Sequence, residues 1–180
     1  MIVLIGGSSH VGKTLLAQKM MEKLKIPYLS LDHIKMMFIR GRLTDLTVED
    51  DYEMRYFLWP YVAELIKTAI ENKQNMIIEG CYIPSEWRDQ FDETYLKDIK
   101  CFFITMSEEY LRKNTDKVKE YGSVIENRLD DEVDTERLIN CSREFMEEAK
   151  ENDITVIEIT DTYDIEEIMT KAMKIINELS

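Results

Sequence analysis

A phosphate-binding motif near the amino end constrains this chain more than any other feature. It follows the pattern G-x-x-x-x-G-K-[ST] and comprises Gly7, Ser8, Ser9, His10, Val11, Gly12, Lys13 and Thr14. Glycine at both ends permits a tight turn and a close approach of the backbone to phosphate, and the N–H groups between them point at the anion. We expect Lys13 to contact the β- and γ-phosphates and Thr14 to bind Mg²⁺.

The residues on either side of the motif supply the context that it requires. Met1–Ile5 is an apolar run typical of a buried strand, and Lys13–Leu24 has the apolar spacing of a helix. A chance match in an unrelated turn is the alternative, which a strand–loop–helix frame disfavours. The sequence therefore predicts a nucleoside triphosphate site with Mg²⁺.

Length and composition indicate one domain over residues 1–180. The sequence has no run of 18 apolar residues, which a membrane span would need. Its first apolar stretch lacks a preceding basic region and leads straight into the motif, so we expect a core strand rather than a signal peptide. Cys81, Cys101 and Cys141 are widely spaced. We expect them to be core thiols in a reducing cytoplasm.

The formal net charge of −13 is informative about partners. Such an acidic chain is not expected to bind DNA or RNA along an extended face, and no membrane partner is indicated. It also repels nucleotides at long range. We therefore expect a small-molecule partner and a phosphate site built locally, from backbone amides and a few placed basic side chains. The helical faces leave the oligomeric state open.

Apolar runs alternate with helical patterns along the whole chain. The predicted strands are Ile2–Ile5, Tyr28–Leu31, Met76–Glu79, Cys101–Met106 and Ile154–Ile159. This alternation predicts an α/β fold with a parallel sheet, right-handed crossovers and helices on both faces. In the second crossover, Pro60 is expected to kink or restart the helix.

Two carboxylates stand where strands of the predicted sheet end. Asp32 follows the second strand and Glu79 closes the third. Ligands of open parallel sheets bind beyond the carboxyl ends of the strands. Phosphoryl transfer needs a carboxylate that orients the acceptor hydroxyl, and we assign Asp32 to it, a role compatible with a helix N-cap. We expect Glu79 to bind Mg²⁺ through water or to contact a substrate hydroxyl. The alternative is a carboxylate that merely caps a turn.

Basic side chains after the second and third strands are candidates for the acceptor pocket. Arg40, one helix after Asp32, and Arg42 beside it suit bidentate binding of an anionic acceptor. Arg88 follows the third strand by a short loop and is a further candidate. Surface charge is the alternative for each.

A highly charged helical segment, Ser107–Lys150, lies between the fourth and fifth strands. A solvated helical pair is one interpretation, and a lid over the nucleotide is the other. We expect Arg128, and after it Arg112, to neutralise charge on the nucleotide and the transferring phosphoryl group.

These residues together resemble the small P-loop kinases that act on nucleotides and metabolites, including the adenylate, shikimate, gluconate and zeta-toxin-like kinases. The resemblance rests on the motif, on Asp32 and on the Ile78-Glu79-Gly80 strand end. It implies a P-loop NTPase fold with sheet order 2-3-1-4-5, ATP as the nucleotide, an acceptor contact by Asp32 and a lid within residues 107–150. Adenylate-type kinases usually have Asp-Gly followed by an aromatic, Pro and Arg at this strand end, whereas here Cys81 and Tyr82 follow, which favours a small metabolite as acceptor.

The leading hypothesis is an ATP-dependent kinase that phosphorylates a hydroxyl or phosphate of a small, anionic metabolite, with Lys13, Asp32 and Arg128 as catalytic residues. Three alternatives stay open: a regulatory protein that holds or hydrolyses nucleotide, a zeta-toxin-like nucleotide-sugar kinase, and an adenylate-kinase-like nucleoside monophosphate kinase. The D-x-x-G and N-K-x-D motifs of GTPases are absent from the sequence. An AAA-type motor would need a longer chain and usually an Asp-Glu pair at a strand end.

Overall fold

Five parallel strands form one sheet in the part of the chain that the structure describes. In the computed structural model, which describes residues 1–122 and 134–178, the order is β2-β3-β1-β4-β5. The strands are β1 Ile2–Gly7, β2 Tyr28–Ser30, β3 Met76–Glu79, β4 Ile99–Met106 and β5 Thr155–Ile159. The expected order 2-3-1-4-5 is confirmed. Because β1 is central and pairs with both β3 and β4, its carboxyl end opens in the middle of the sheet edge.

Helices connect the strands and cover both faces of the sheet. They are α1 Lys13–Leu24, α2 Leu31–Arg40, α3 Asp51–Glu71, α4 Glu93–Leu96, α5 Glu108–Gly122, α6 Thr135–Glu151 and α7 Ile165–Glu178, with a 3₁₀ turn at Trp87–Gln90. Of the helices in the described ranges, none combines the length and the apolar character that a membrane crossing requires.

Side chains of β1 alternate between two hydrophobic cores. Ile2 and Leu4 belong to the core under α3 and α6, and Val3 and Ile5 belong to the core under α1 and α7. All four side chains are fully buried. A strand covered on both faces must be apolar at every position, which is why β1 reads as a continuous apolar run.

The helix of the second crossover does not restart at Pro60, which was one of the two effects expected of this residue. Helix α3 is continuous from Asp51 to Glu71, with Pro60 inside it. Proline removes one backbone hydrogen bond and orphans the carbonyl four residues earlier, here that of Tyr56. Pro60 and Tyr56 both lie on the exposed side of the helix, where water can satisfy that carbonyl.

Phe145 tests the packing of α6 on the sheet. Its fully buried ring stacks edge-on against Phe103 at 5.6 Å between centroids, and the Arg55 guanidinium covers it at 4.5 Å. We expect Phe145→Ala to lower the free energy of unfolding by about 3–5 kcal/mol, the usual cost of such a cavity. Urea unfolding measures this, with Tyr52→Ala at an exposed position as the control. A loss below about 1 kcal/mol would contradict the packing described.

Candidate active site

The phosphate-binding motif forms a tight loop between β1 and α1. Gly7 has φ of +114° and Gly12 has φ of +84°, in the left-handed region that glycine adopts freely. A Cβ atom on Gly7 would lie 2.0 Å from the carbonyl oxygen of Ile104, and one on Gly12 would lie 2.1 Å from the Tyr163 hydroxyl. Both glycines are therefore required by the fold, and the loop leads into the positive end of α1.

Lys13 points into this loop and is buried. Its Nζ donates to the backbone carbonyl of Ser8 at 2.6 Å and lies 3.2 Å from the Sγ atom of Cys81. Burial alone would lower the pKa of Lys13, but Cys81 and the carboxylates of Glu79 and Asp32 outweigh burial and raise it. Lys13 is therefore cationic at neutral pH, and its positive charge attracts any phosphate that enters the loop.

Glu79 faces the loop from the end of β3 and is fully buried. The Thr14 hydroxyl donates to its Oε1 atom at 3.2 Å. Its Oε2 atom and the Ser30 hydroxyl have no partner at ordinary hydrogen-bond distance within the described part of the chain. The Ser30 hydroxyl is nevertheless close enough to Glu79 to act on the pKa of its carboxyl group. Burial raises the pKa of Glu79, and the nearby Ser30 and Lys13 only partly offset this effect.

The pair formed by Thr14 and Glu79 fits a Mg²⁺ ion. An unpartnered buried carboxylate oxygen next to a hydroxyl presents the hard oxygen ligands that Mg²⁺ prefers. No group of three or more His, Cys, Asp or Glu residues suited to a metal occurs in the described ranges. That is expected for Mg²⁺ bound through one or two protein ligands, water and phosphate oxygens.

Asp32 lies at the same edge of the sheet, in the first turn of α2. Ser30 occupies the N-cap position, so the helix begins at Leu31 and Asp32 is not the cap. Ser30 pairs with Glu79 in the register of β2 and β3, so Asp32, two residues later, lies beside the end of β3. Burial is the main cause of the raised pKa of Glu79 and of the Cys81 thiol, and the negative charge of Asp32 adds to it. The structure thus brings together four predicted residues, namely Lys13, Thr14, Asp32 and Glu79.

Helix α6 also contacts the loop, which sequence reasoning missed. The Ser142 hydroxyl donates to the Ser8 hydroxyl at 2.9 Å, and both side chains are buried. The backbone N–H of Ser9 donates to the thiol of Cys141. Neighbouring small polar residues in an otherwise charged helix were the available signal. Within the loop itself, His10 has a positive φ of 64° and its Nδ1 lies 2.8 Å from the Ser9 hydroxyl.

A buried network on the Asp32 side of the loop was also missed. Lys35, one turn after Asp32 on α2, is buried and its Nζ donates to Asp51 at 2.6 Å and to the Tyr82 hydroxyl at 2.9 Å. The Tyr82 hydroxyl in turn donates to Asp51 at 2.7 Å. Lysine at a helical spacing from Asp32 was visible in the sequence, but its partners lie far along the chain.

The arginines predicted for the lid and for the acceptor pocket lie in different surroundings. Arg112 on α5 is bound by Glu108 and Glu136, so its guanidinium contacts two carboxylates rather than the loop. Arg40 is exposed at the end of α2, about 12 Å along the helix from Asp32. Arg128 lies outside the described residues.

The prediction that Arg88 lines the acceptor pocket is wrong. Its guanidinium donates to the backbone carbonyl of Asn152 at 2.8 Å and covers the ring of Trp87. Asn152 immediately precedes β5, so Arg88 lies toward the amino edge of the sheet, opposite the phosphate loop. Residues 80–86, between β3 and the 3₁₀ turn, carry the chain away from the loop.

Glu79 generates a prediction about pH and stability. Because its pKa is raised in the folded state, the folded protein binds more protons above the ordinary value of 4.5, and stability falls as pH rises through the raised pKa. We expect Glu79→Gln to remove this dependence of the free energy of unfolding on pH. The variant is then more stable than the unsubstituted protein at neutral pH, and the difference disappears below pH 4.5.

Chemical unfolding across pH in EDTA, without nucleotide, measures the difference. Glu49→Gln, an exposed position, is the matched control. A difference between Glu79→Gln and the original protein that does not change with pH would show that burial does not perturb Glu79.

Comparisons with known proteins identify the family and the fold of this chain. A family model described as an AAA domain matches residues 1–143. No significant match was found among curated protein sequences.

Several solved structures that superpose on this chain carry titles that name kinases. A gluconokinase from Sinorhizobium meliloti 1021 superposes with a TM-score of 0.59 at 16% identity, covering 98% of this chain and 91% of its own. A shikimate kinase from Aquifex aeolicus gives 0.53 at 13% identity, covering 99% and 97%. A deoxyadenosine kinase from M. mycoides gives 0.55 at 15% identity, covering 99% and 100%. Likeness at this level of identity establishes the fold that these proteins share.

Proposed function

The chain belongs to the AAA domain family, and from that premise we propose that it is a kinase that transfers the γ-phosphoryl group of ATP to a hydroxyl of a small acceptor. The observation that carries the proposal is the convergence of Lys13, Thr14, Asp32 and Glu79 at the carboxyl ends of β1, β2 and β3. Phosphoryl transfer needs a phosphate cradle, a metal site and an acceptor carboxylate within reach of one another.

The loop and Lys13 bind the phosphates. Backbone N–H groups between Gly7 and Gly12 cradle the anion, and Lys13 exchanges the Ser8 carbonyl for phosphate oxygens. Thr14 and Glu79 would hold a bound Mg²⁺, which would supply neutralising charge at the phosphates. Binding a cation beside Glu79 also gives its buried Oε2 atom a partner.

Asp32 orients the acceptor and receives its proton. The acceptor oxygen forms a bond to the γ-phosphorus while the bond to the bridging oxygen of ADP breaks, and the hydroxyl proton passes to the Asp32 carboxylate. Lys13, close to Asp32, stabilises the charge that develops on the transferred group. An arginine from residues 107–150 completes this arrangement, with Arg128 and Arg112 as the candidates.

The structural neighbours support a small acceptor without identifying it. Their titles name a gluconokinase, a shikimate kinase and a deoxyadenosine kinase, so one fold serves several acceptors. A single carboxylate ends β3, since Ile78 precedes Glu79, where an AAA-type motor usually has an Asp-Glu pair. The family description therefore fits a kinase here better than a motor.

Lys13→Ala tests the phosphate site. We expect phosphoryl transfer from Mg²⁺·ATP to fall by at least about 100-fold, because a preorganised charge on the transferring group is worth that much or more. The assay measures ADP formation with a panel of hydroxylated acceptors. Lys23→Ala, an exposed lysine on the same helix, is the matched control. Normal turnover in Lys13→Ala would contradict the mechanism, and hydrolysis that no acceptor stimulates would favour a regulatory nucleotide-binding protein.

Asp32→Asn separates the acceptor role from nucleotide binding. We expect kcat to fall by about 10²–10⁴, the range for a general base, with the Kd for Mg²⁺·ATP unchanged. Single-turnover kinetics and nucleotide titration measure the two quantities, and Asp45→Asn at an exposed loop position is the control. Weakened ATP binding with unchanged turnover per bound nucleotide would reassign Asp32 to the nucleotide or the metal.

A further inference from the structure

The phosphate loop has a shape that its own backbone does not favour. Gly7, His10 and Gly12 all have positive φ, at +114°, +64° and +84°. A residue other than glycine in this region costs free energy, and the conformation persists only where surrounding contacts hold the backbone. The loop therefore depends on groups outside it to keep the shape that receives phosphate.

Ser8 is the residue through which neighbouring elements hold the loop. Its backbone N–H donates to the carbonyl of Ile104 on β4 at 3.1 Å, and its own carbonyl accepts from the Lys13 ammonium at 2.6 Å. Its hydroxyl accepts from the Ser142 hydroxyl of α6 at 2.9 Å. Each of the three polar groups of Ser8 thus has a partner, and these partners come from β4, α1 and α6.

The hydrogen bond between Ser142 and Ser8 is shielded from water. Ser8 is fully buried, and Ser142 is 6% exposed. A buried hydroxyl that loses its partner does not recover the bond from water, so removing either side chain leaves an unsatisfied group beside the loop. The adjacent Cys141 adds a second contact, because its thiol accepts from the backbone N–H of Ser9. Two consecutive residues of α6 therefore hold two consecutive residues of the loop.

Helix α6 is itself fixed to the sheet and to a neighbouring helix. The Phe145 ring of α6 packs edge-on against Phe103 of β4. Farther along α6, Glu148 forms an ion pair with Arg55 of α3 at 2.9 Å. A side chain on an element that is held from several sides positions its partner more precisely than one on a loop. Ser142 is therefore a firm support for Ser8.

We infer that Ser142 is a positioning residue for nucleotide binding: it holds Ser8, and through the Ser8 carbonyl the Lys13 ammonium, where the loop receives phosphate. This inference rests on the proposed binding of Mg²⁺·ATP by the loop. It assigns to that site a residue that lies 134 positions after Ser8 in the chain. Ser142 acts on the loop and not on the nucleotide itself.

A double-mutant cycle tests the inference with four proteins: the unsubstituted protein, Ser8→Ala, Ser142→Ala and the variant that carries both changes. Nucleotide titration measures the Kd of each folded protein for Mg²⁺·ATP, and urea unfolding of the same samples measures stability. We expect each single change to raise the Kd at least about threefold, the size of effect expected when one hydrogen bond is lost. Because both changes remove the same bond, the double variant should bind within about threefold of the weaker-binding single variant.

Stability and binding should separate in the double variant. It leaves neither hydroxyl without its partner, so it should lose less stability than the two single changes added together. Its Kd should nevertheless stay raised, because α6 no longer holds Ser8. A merely structural role for Ser142 would restore nucleotide binding along with stability. Asn140→Ala, at an exposed position two residues earlier on α6, is the matched control and should leave the Kd unchanged.

Two results would overturn the inference: a Kd in Ser142→Ala that rises less than about threefold, or effects of the two single changes on Kd that multiply in the double variant. If a single variant does not fold, the double variant decides by the same threshold against the unsubstituted protein. Failure of the proposed function looks different. A protein that does not bind Mg²⁺·ATP removes both proposals, whereas one that binds it but phosphorylates no acceptor removes only the kinase proposal, since the four Kd values need no acceptor.

Discussion

A buried ammonium group beside a buried carboxylate organises this protein. Lys13 is almost inaccessible to water, and a charge in that position persists only if neighbouring groups compensate its lost hydration. The Ser8 carbonyl, which follows β1, and Cys81 and Glu79, at the end of β3, provide this compensation. The pairing of β1 with β3 brings these groups to Lys13.

The parts of the fold that sequence could predict are those with local or periodic signals. The glycines of the loop, the apolar strands and the order of the sheet could be predicted because each depends on residues close in sequence or on a fold that the motif implies. Met76–Glu79 is a strand with the bounds expected from its apolar run. The expected restart of the helix at Pro60 was wrong because the effect of proline depends on which side of α3 faces water, and this follows from packing rather than from the residue itself.

The side chains of the site were predictable where they end strands and not where they pair across the chain. The nearness of Asp32 and Glu79 to the loop could be predicted because both residues lie where strands end, at the carboxyl edge of the sheet. Lys35 contacts three residues that lie 13, 16 and 47 positions further along the chain. No pattern within a single helix or strand indicates such a network. The prediction for Arg88 failed for the converse reason, since the irregular segment of residues 80–86 after β3 leads the chain away from the loop before Arg88 is reached.

The unpartnered Oε2 atom of Glu79 has a consequence for how long the protein survives in a cell. An empty site holds a desolvated oxygen that favours unfolding, whereas a loaded site satisfies it. A ligand that binds only the folded state at 100 times its Kd adds about 2.7 kcal/mol to stability. Proteases act on the open form, so the abundance of this protein would follow the supply of its nucleotide, and the loaded molecules would be the ones that persist.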